Sequence, residues 1–355
     1  MTADLPRGPL DVLVIGGGQA GLAMGYHLGL RGLRFQIVDS GTEVGSAWDS
    51  RWDSLRLFTS GRYDDLPGLR FPADADSYPG KEEVADYLRA YAREFHLPIR
   101  LDTTVTSLAR AGDGTYLVKA GADAVEAGQV VVATGAFQTP FIPAVAAHLA
   151  TDVHQLHSAD YRRPEQVPPG RVLVVGAANS GCQIALELSA TRTVDLATGA
   201  HIPTVPQRPL GRDIWWWASG LRLDRVTADS RLGRRLAGRD QNVGTGPKQL
   251  ARRHGVTVRP RVEAAAGRRV TFADLSAVDY DVVLWATGFR TDDSWVDVPD
   301  ATDSLGRLRQ SRGVTPSPGL YTLGRMWQHT RGSALLGWVG NDAAYLAERI
   351  ASRAR

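Results

Sequence analysis

Four valine-rich apolar runs punctuate the chain, at residues 12–15, 130–132, 172–175 and 282–285. Short valine-rich runs with glycine close behind predict strands buried on both faces, the pattern of a parallel sheet. The first and third runs each enter a glycine cluster and then a helical pattern, at 22–30 and 184–188. Another strand is predicted over 35–38. Residues 81–95 carry Val84, Tyr87, Leu88, Tyr91 and Phe95 on one face of a predicted helix. Strands at 99–108 and 116–120 follow, and a strand at 319–324 precedes a closing helix at 343–350. This alternation predicts an α/β fold.

The two glycine clusters are copies of one motif. Gly16-Gly17-Gly18-Gln19-Ala20-Gly21 and Gly176-Ala177-Ala178-Asn179-Ser180-Gly181 lie 160 residues apart. Between a strand and a helix, such a cluster is a dinucleotide-binding fingerprint. The first glycine makes the turn, the second admits the pyrophosphate to the backbone, and the third lets helix pack on strand. The phosphates then rest on the helix N-terminus. Asp39, with Ser40 beside it, ends the 35–38 strand 18 residues beyond Gly21, where an acid can accept hydrogen bonds from a ribose. Each half also closes a later strand with the same tripeptide, Ala133-Thr134-Gly135 and Ala286-Thr287-Gly288. Repetition on this scale predicts a duplicated unit: two Rossmann-like dinucleotide-binding domains, the second inserted into the first. The expected boundaries are 1–165, 166–280 and a return segment, 281–355.

Composition narrows the partners. The chain has 355 residues, 43% of them hydrophobic, and a net charge of only +3. Only three of its 41 basic residues are lysine, and the arginines are scattered, so no nucleic-acid surface is expected. A lone cysteine, Cys182, excludes an internal disulfide, a Cys-x-x-Cys pair and a cysteine zinc cluster. Residues 1–10 show no leader-like apolar segment, and no run reaches the ~20 residues of a membrane span. A cytoplasmic protein without a metal centre is expected. Trp215-Trp216-Trp217 cannot all face inward from one element. One of them should meet a ligand, the other domain or a second subunit, which makes a homodimer conceivable. Phe289, Trp327 and Trp338 are expected near the same apolar cavity.

With these residues in view, the chain resembles the flavin-containing monooxygenase superfamily along nearly its whole length. The resemblance is to a bacterial flavoprotein branch, some members being labelled as linked to potassium transport, and more distantly to the YUCCA-type monooxygenases. It rests on Gly45-Ser46-Ala47-Trp48, on Trp52-Asp53-Ser54-Leu55-Arg56-Leu57-Phe58-Thr59, on Tyr78-Pro79-Gly80-Lys81-Glu82-Glu83 and on Ala286-Thr287-Gly288-Phe289. His157-Ser158-Ala159-Asp160-Tyr161 resembles the second half of the family's linker motif, whose Phe and Gly are replaced by Thr151 and Val153. The resemblance implies that the first fingerprint, including Gln19 and Ala20, holds the ADP half of FAD with Asp39 and Ser40. Trp48, Leu55 and Thr59 would then lie along the flavin, and the Val105 backbone would meet the adenine. Thr134 and Gly135 would close over the FAD, and Ala133 and Gly324 are further expected cofactor contacts. The second fingerprint, with Asn179 and Ser180, would bind NADPH, and Thr287 and Gly288 are further expected cofactor contacts.

The counterpart of Asp39 in the second half is Gly199, so the acid that selects NAD is missing. His201, Arg208 and Arg212 lie downstream, and an arginine can fork a 2′-phosphate; Arg208 is the expected one. The expected activity is an FAD-dependent, NADPH-reduced monooxygenase using O₂. A flavin C4a-(hydro)peroxide would oxygenate nitrogen or sulfur, or attack a carbonyl by Baeyer–Villiger insertion or oxidative decarboxylation. Such chemistry needs no acid–base triad, and no catalytic residue is assigned. The half-present linker motif keeps two alternatives open: a flavin reductase or oxidase without oxygenation, and a non-catalytic redox nucleotide sensor.

Overall fold

A computed structural model describes residues 8, 10–121, 123–199, 202–237 and 242–354. Its first unit is an eight-stranded sheet. The parallel centre runs Ile99–Arg100, Phe35–Val38, Leu10–Ile15 and Asp123–Val132, with Leu320–Thr322 pairing to the last. Asp123–Val132 is shared between two arrangements. Its second half joins the parallel sheet, while its first half turns antiparallel to Tyr116–Ala120, which in turn pairs with Val105–Arg110. Val296–Asp297 closes that edge.

Burial on both faces explains the unbroken apolar runs. Val12 and Val14 join the helices Gln19–Gly29, Lys81–Glu94 and Val339–Arg353 in one core, while Leu13 and Ile15 join the antiparallel strands in another. The strand expected over 99–108 is two strands. Asp102 takes a left-handed φ of 52° and its N–H bonds to the Gly41 carbonyl, so the chain leaves the parallel sheet before re-entering at Val105.

The second unit is a five-stranded parallel sheet in the order Thr257–Arg259, Thr193–Ala197, Arg171–Val175, Val282–Trp285, His154–His157. Its first and last strands in sequence lie outside 166–280, which corrects the expected boundaries at both ends. The reason is pairing: His154–His157 has no partner in the first sheet and edges the second through Val282–Trp285. At its centre Asp195 is fully buried, accepting hydrogen bonds from Arg171 (3.1 Å), Arg259 (2.9 Å) and Tyr280 (2.7 Å).

Two short strands, Thr139–Pro140 and Phe289–Arg290, pair antiparallel where the chain passes between the units. Each follows one of the Ala-Thr-Gly tripeptides. Trp52 and Leu55, from the first unit's sequence, are buried in the second unit's core, and Trp48 and Leu57 pack against both cores. Among the described residues no helix is long and apolar enough to cross a membrane, and no cluster of His, Cys, Asp or Glu could hold a metal ion.

Candidate functional site

The two phosphate loops have the same geometry. Gly16 and Gly176 take φ of 111° and 109°, a region that disfavours any side chain. A Cβ at Gly16 would meet the Ala133 carbonyl oxygen, and one at Gly176 the Ala286 carbonyl oxygen. Each loop is thus pressed against its own half's Ala-Thr-Gly. A Cβ at Gly21 or Gly181 would collide with the carbonyl oxygen of Gly16 or Gly176, so helix and strand approach closely in both. Gly18 differs, because a Cβ there meets nothing within 4 Å. That open side is the approach a pyrophosphate needs. Ala178, its counterpart, has φ −76° and ψ −176° against −74° and −172° for Gly18. The extra methyl therefore leaves the backbone unchanged. Neither helix has an acid in its first turn to compete with phosphate.

Asp39 is tied into the first loop. Its carboxylate accepts from the Gly17 N–H (2.5 Å) and the Gly41 N–H (2.7 Å), which fixes it beside the turn, half-exposed, with Ser40 exposed next to it. Gln19 bridges two other elements: its amide donates to the Ala334 carbonyl (3.0 Å) and its oxygen accepts from the Trp48 indole (3.1 Å). Gly324, at φ 83°, would place a Cβ 2.8 Å from the Ala20 methyl, so the return segment comes directly against the first fingerprint. Thr134 Oγ1 accepts from Gln138 (2.7 Å), and Gly135 takes φ 72°. Val105 opens its strand opposite Ala120. Gly16, Gly18, Gln19, Ala20, Gly21, Asp39, Trp48, Ala133 and Gly324 are one constellation. Leu55 is instead taken up by the second unit's core, as a seam residue.

In the second loop Asn179 accepts from the Val243 N–H (2.9 Å), Ser180 is half-buried, and Thr287 donates to the Phe141 carbonyl. Gly199 has nothing within 4 Å of its added Cβ, and His201 lies outside the described residues. Arg208 is a correction. Its guanidinium donates to the Tyr78 hydroxyl (3.1 Å) and the Asp76 carbonyl and lies over the Tyr78 ring, so its fork is engaged on the first unit, not held for a phosphate. Tyr78 also donates to Asp213, which caps the helix Ile214–Gly220.

His157 is a stitch between strands. Its Nδ1 accepts from the Ala159 N–H (3.0 Å), so Nε2 carries the proton and donates to the Gly288 carbonyl (3.1 Å). Burial lowers its pKa, which keeps the ring neutral. Val153 is buried in the second unit's core, which accounts for an apolar residue where the linker motif has glycine. Phe289 does not join the tryptophans; it packs edge-on against His157 and Phe137, with Arg51 over its ring.

The tryptophan triplet divides by helical geometry. Trp215 is buried, Trp217 bonds the Pro209 carbonyl, and Trp216 is 46% exposed. Trp215 crosses the seam to stack on Phe58 (6.3 Å) and meet Trp338 (4.8 Å), which stacks on Tyr63 (5.9 Å). Beside this aromatic wall is a residue that sequence reasoning missed. Asp64 is fully buried; its Oδ1 accepts from Thr59 (2.6 Å) and its Oδ2 has no partner. Burial pushes its pKa up to about 7. The Ser60 hydroxyl and the Trp215 indole N–H are likewise buried without partners. Lys81 was missed too. Its buried amine clasps the carbonyls of Asp49 (3.1 Å) and Arg51 (2.8 Å) and the Asp53 carboxylate (2.7 Å), fixing the segment that carries Trp48. A lysine at the start of an acidic helix gave no signal of burial.

Cys182 is buried, hydrogen-bonded to the Ala177 carbonyl and to Asn242, and pushed up to about 12, so it is no redox thiol.

Comparisons with known proteins agree with this geometry. Residues 13–205 match the family model described as pyridine nucleotide-disulphide oxidoreductase. The chain is 44% identical to an uncharacterized oxidoreductase CzcO-like of Geobacillus kaustophilus, over 96% of this chain and 98% of that one. It is 29% identical to the indole-3-pyruvate monooxygenase YUCCA8 of Oryza sativa subsp. japonica, over 96% and 90%. The flavin-containing monooxygenase from Stenotrophomonas maltophilia superposes with a TM-score of 0.81 at 29% identity, covering 98% of this chain and 99% of that one. The chain therefore belongs to the pyridine nucleotide-disulphide oxidoreductase family, and it is similar along nearly its whole length to flavin-containing monooxygenases.

Proposed function

We propose that this protein is an FAD-dependent, NADPH-reduced monooxygenase that transfers an oxygen atom from O₂ to a small organic substrate. The observation that carries the reading is the pair of matched phosphate loops, one with an acid at the end of its second strand and one without. Asp39, held by two backbone amides, suits the ribose of a resident FAD. Gly199, whose added Cβ would meet no described residue within 4 Å, suits a nucleotide bearing a 2′-phosphate, which an acid there would repel. Bound in the first cradle, FAD supplies the redox and oxygen chemistry, with electrons taken from NADPH.

The chain's own part is orientation, exclusion of water and proton placement. Gln19 joins the fingerprint, Trp48 and the return segment, while Lys81 holds the Trp48 segment from behind. Phe58, Trp215, Trp338 and Tyr63 make an apolar wall across the seam, and such a wall shields a reactive centre from water. The Asp64 carboxyl, pushed up by burial to about 7, accepts from Thr59, the residue expected along the flavin, and carries its proton on the unpartnered Oδ2.

The test is turnover of the purified yellow protein with NADPH under ¹⁸O₂, against amine, sulfide and carbonyl candidates. Substrate-dependent ¹⁸O in the product is expected. Release of all reduced oxygen as hydrogen peroxide with every candidate would overturn the reading in favour of an oxidase.

A further inference from the structure

A cavity of about 490 Å³ opens between the two units, its lining containing no residue of either phosphate loop. The second unit contributes Asp224 and Arg225, and the return segment contributes Arg312, His329, Trp338 and Asp342. Two contacts hold its rim together: Thr227 bridges Thr330, and the Ala228 N–H donates to the His329 carbonyl (2.6 Å).

Its charges are not all spent on one another. Arg312, at a left-handed φ of 49°, has its guanidinium over the Tyr345 ring and 3.6 Å from the buried Asp342 carboxylate. Its Nε makes no hydrogen bond. Asp224 Oδ1 is also buried without a partner, and Arg225 is exposed, with no ion pair or side-chain hydrogen bond to a described residue. One cavity thus sets the unmet Asp224 acceptor against the opposite charges of the solvent-facing Arg225 and of Arg312, with Trp338 as an apolar wall. A lone anion would face Asp224 and a lone cation would face Arg225, each a repulsive encounter. A ligand carrying both charges answers both. The volume lies within the range of small-molecule sites.

We propose that this cavity binds a small zwitterion of the α-amino-acid class, its carboxylate toward Arg225 and Arg312 and its ammonium toward Asp224. Trp338 is at once the wall of this cavity and part of the stack reaching Trp215 and Tyr63, beside Asp64 and Thr59. Resting on the monooxygenase reading, the zwitterion is the oxygen acceptor, with its side chain directed along that wall.

The probes are S-methyl-L-cysteine, its N-acetyl derivative and its methyl ester, titrated into the holoprotein by calorimetry and by quenching of tryptophan fluorescence. The zwitterion is expected to bind at least roughly tenfold more tightly than either singly charged derivative. Arg225→Gln should weaken the zwitterion and the N-acetyl acid but not the ester. Asp224→Asn should weaken the zwitterion and the ester but not the acid. Neither side chain bonds a described residue whose loss would unfold the protein, whereas Arg312→Gln would leave Asp342 buried and unpaired and needs a melting control. Equal binding of all three probes, no binding of the zwitterion, or binding unchanged in both variants would overturn the proposal. ¹⁸O analysis separates the two readings. The predicted binding pattern with only hydrogen peroxide formed would retain the site and sink the monooxygenase. Oxygenation of uncharged sulfides without that pattern would do the reverse.

Discussion

Replacing Asp64 by asparagine should change how stability depends on pH. The carboxyl moves from 3.8 in the unfolded chain to about 7 when buried. At 1.36 kcal/mol per unit, a shift of about 3 units is worth about 4 kcal/mol. Because the folded pKa is the higher one, this stabilisation is complete below pH 3.8 and is lost as pH rises through 7. Between pH 5 and pH 8 the wild type should lose about 2.5 kcal/mol from this group alone. Asparagine keeps the shape and an oxygen for Thr59 but cannot ionise, so the variant escapes that loss. For a chain of this length the difference corresponds to a melting shift of about 3 °C, from roughly 2.1 cal/mol/K of unfolding entropy per residue. The assay is the melting temperature of wild-type and Asp64→Asn holoprotein at matched ionic strength from pH 5 to pH 8.5. The variant should gain on the wild type up to about pH 7, and the gap should then level off. Parallel profiles would refute the reasoning and mean that water reaches Asp64 Oδ2. A second variant checks the cause. The Thr59 hydroxyl stabilises the ionised form, so Thr59→Val should move the midpoint of the effect to higher pH.

Other predictions follow from the same geometry. Gly21→Ala should abolish FAD retention, seen as loss of yellow colour after gel filtration, because its Cβ collides with the Gly16 carbonyl; full occupancy would contradict the close-packing argument. Ala178→Gly should leave the NADPH KM within about twofold, since the alanine already has the backbone of Gly18. Gly199→Asp should lower kcat/KM for NADPH by at least roughly tenfold with little change for NADH, read from steady-state flavin reduction. Asp195→Ala should cost about 1–3 kcal/mol in chemical denaturation, because it leaves the buried Tyr280 hydroxyl without its acceptor and the partly exposed Arg171 and Arg259 without their shared carboxylate; a loss below about 0.5 kcal/mol would mean that the cluster is solvated.

The parts legible in the sequence were those enforced locally. Gly16, Gly21, Gly176 and Gly181 had to be glycine because backbone atoms of neighbouring turns occupy the space of a Cβ. The same constraint acts at fixed offsets in any strand–turn–helix unit. Val12–Val14 and Val172–Val174 announced their strands because sheets covered on both faces need apolar residues without alternation. Asp39 was readable for the same reason, as the end of the second strand falls a set distance from the loop. Those signals determined the α/β class, the duplication and the two nucleotide cradles.

What lay outside local spacing was decided by tertiary contacts. Arg208 was one of 38 arginines, and only the approach of Tyr78 and Asp76 from 130 residues away assigns it to the first unit. His154–His157 went to the second sheet because Val282–Trp285 offered it a parallel partner, which no boundary signal in the linker reveals. Nothing in the local sequence marks Asp64 as a buried acid or Lys81 as a buried clasp; tertiary packing buries the first against Thr59 and closes the carbonyls of Asp49 and Arg51 and the Asp53 carboxylate on the second. The zwitterion cavity exists only because two units meet and leave Asp224 and Arg225 facing Arg312. Sequence alone determined which backbone the chain could make and where phosphates could rest. The tertiary structure decided which side chains lost their water, and loss of water sets a proton affinity or leaves a charge in want of a ligand.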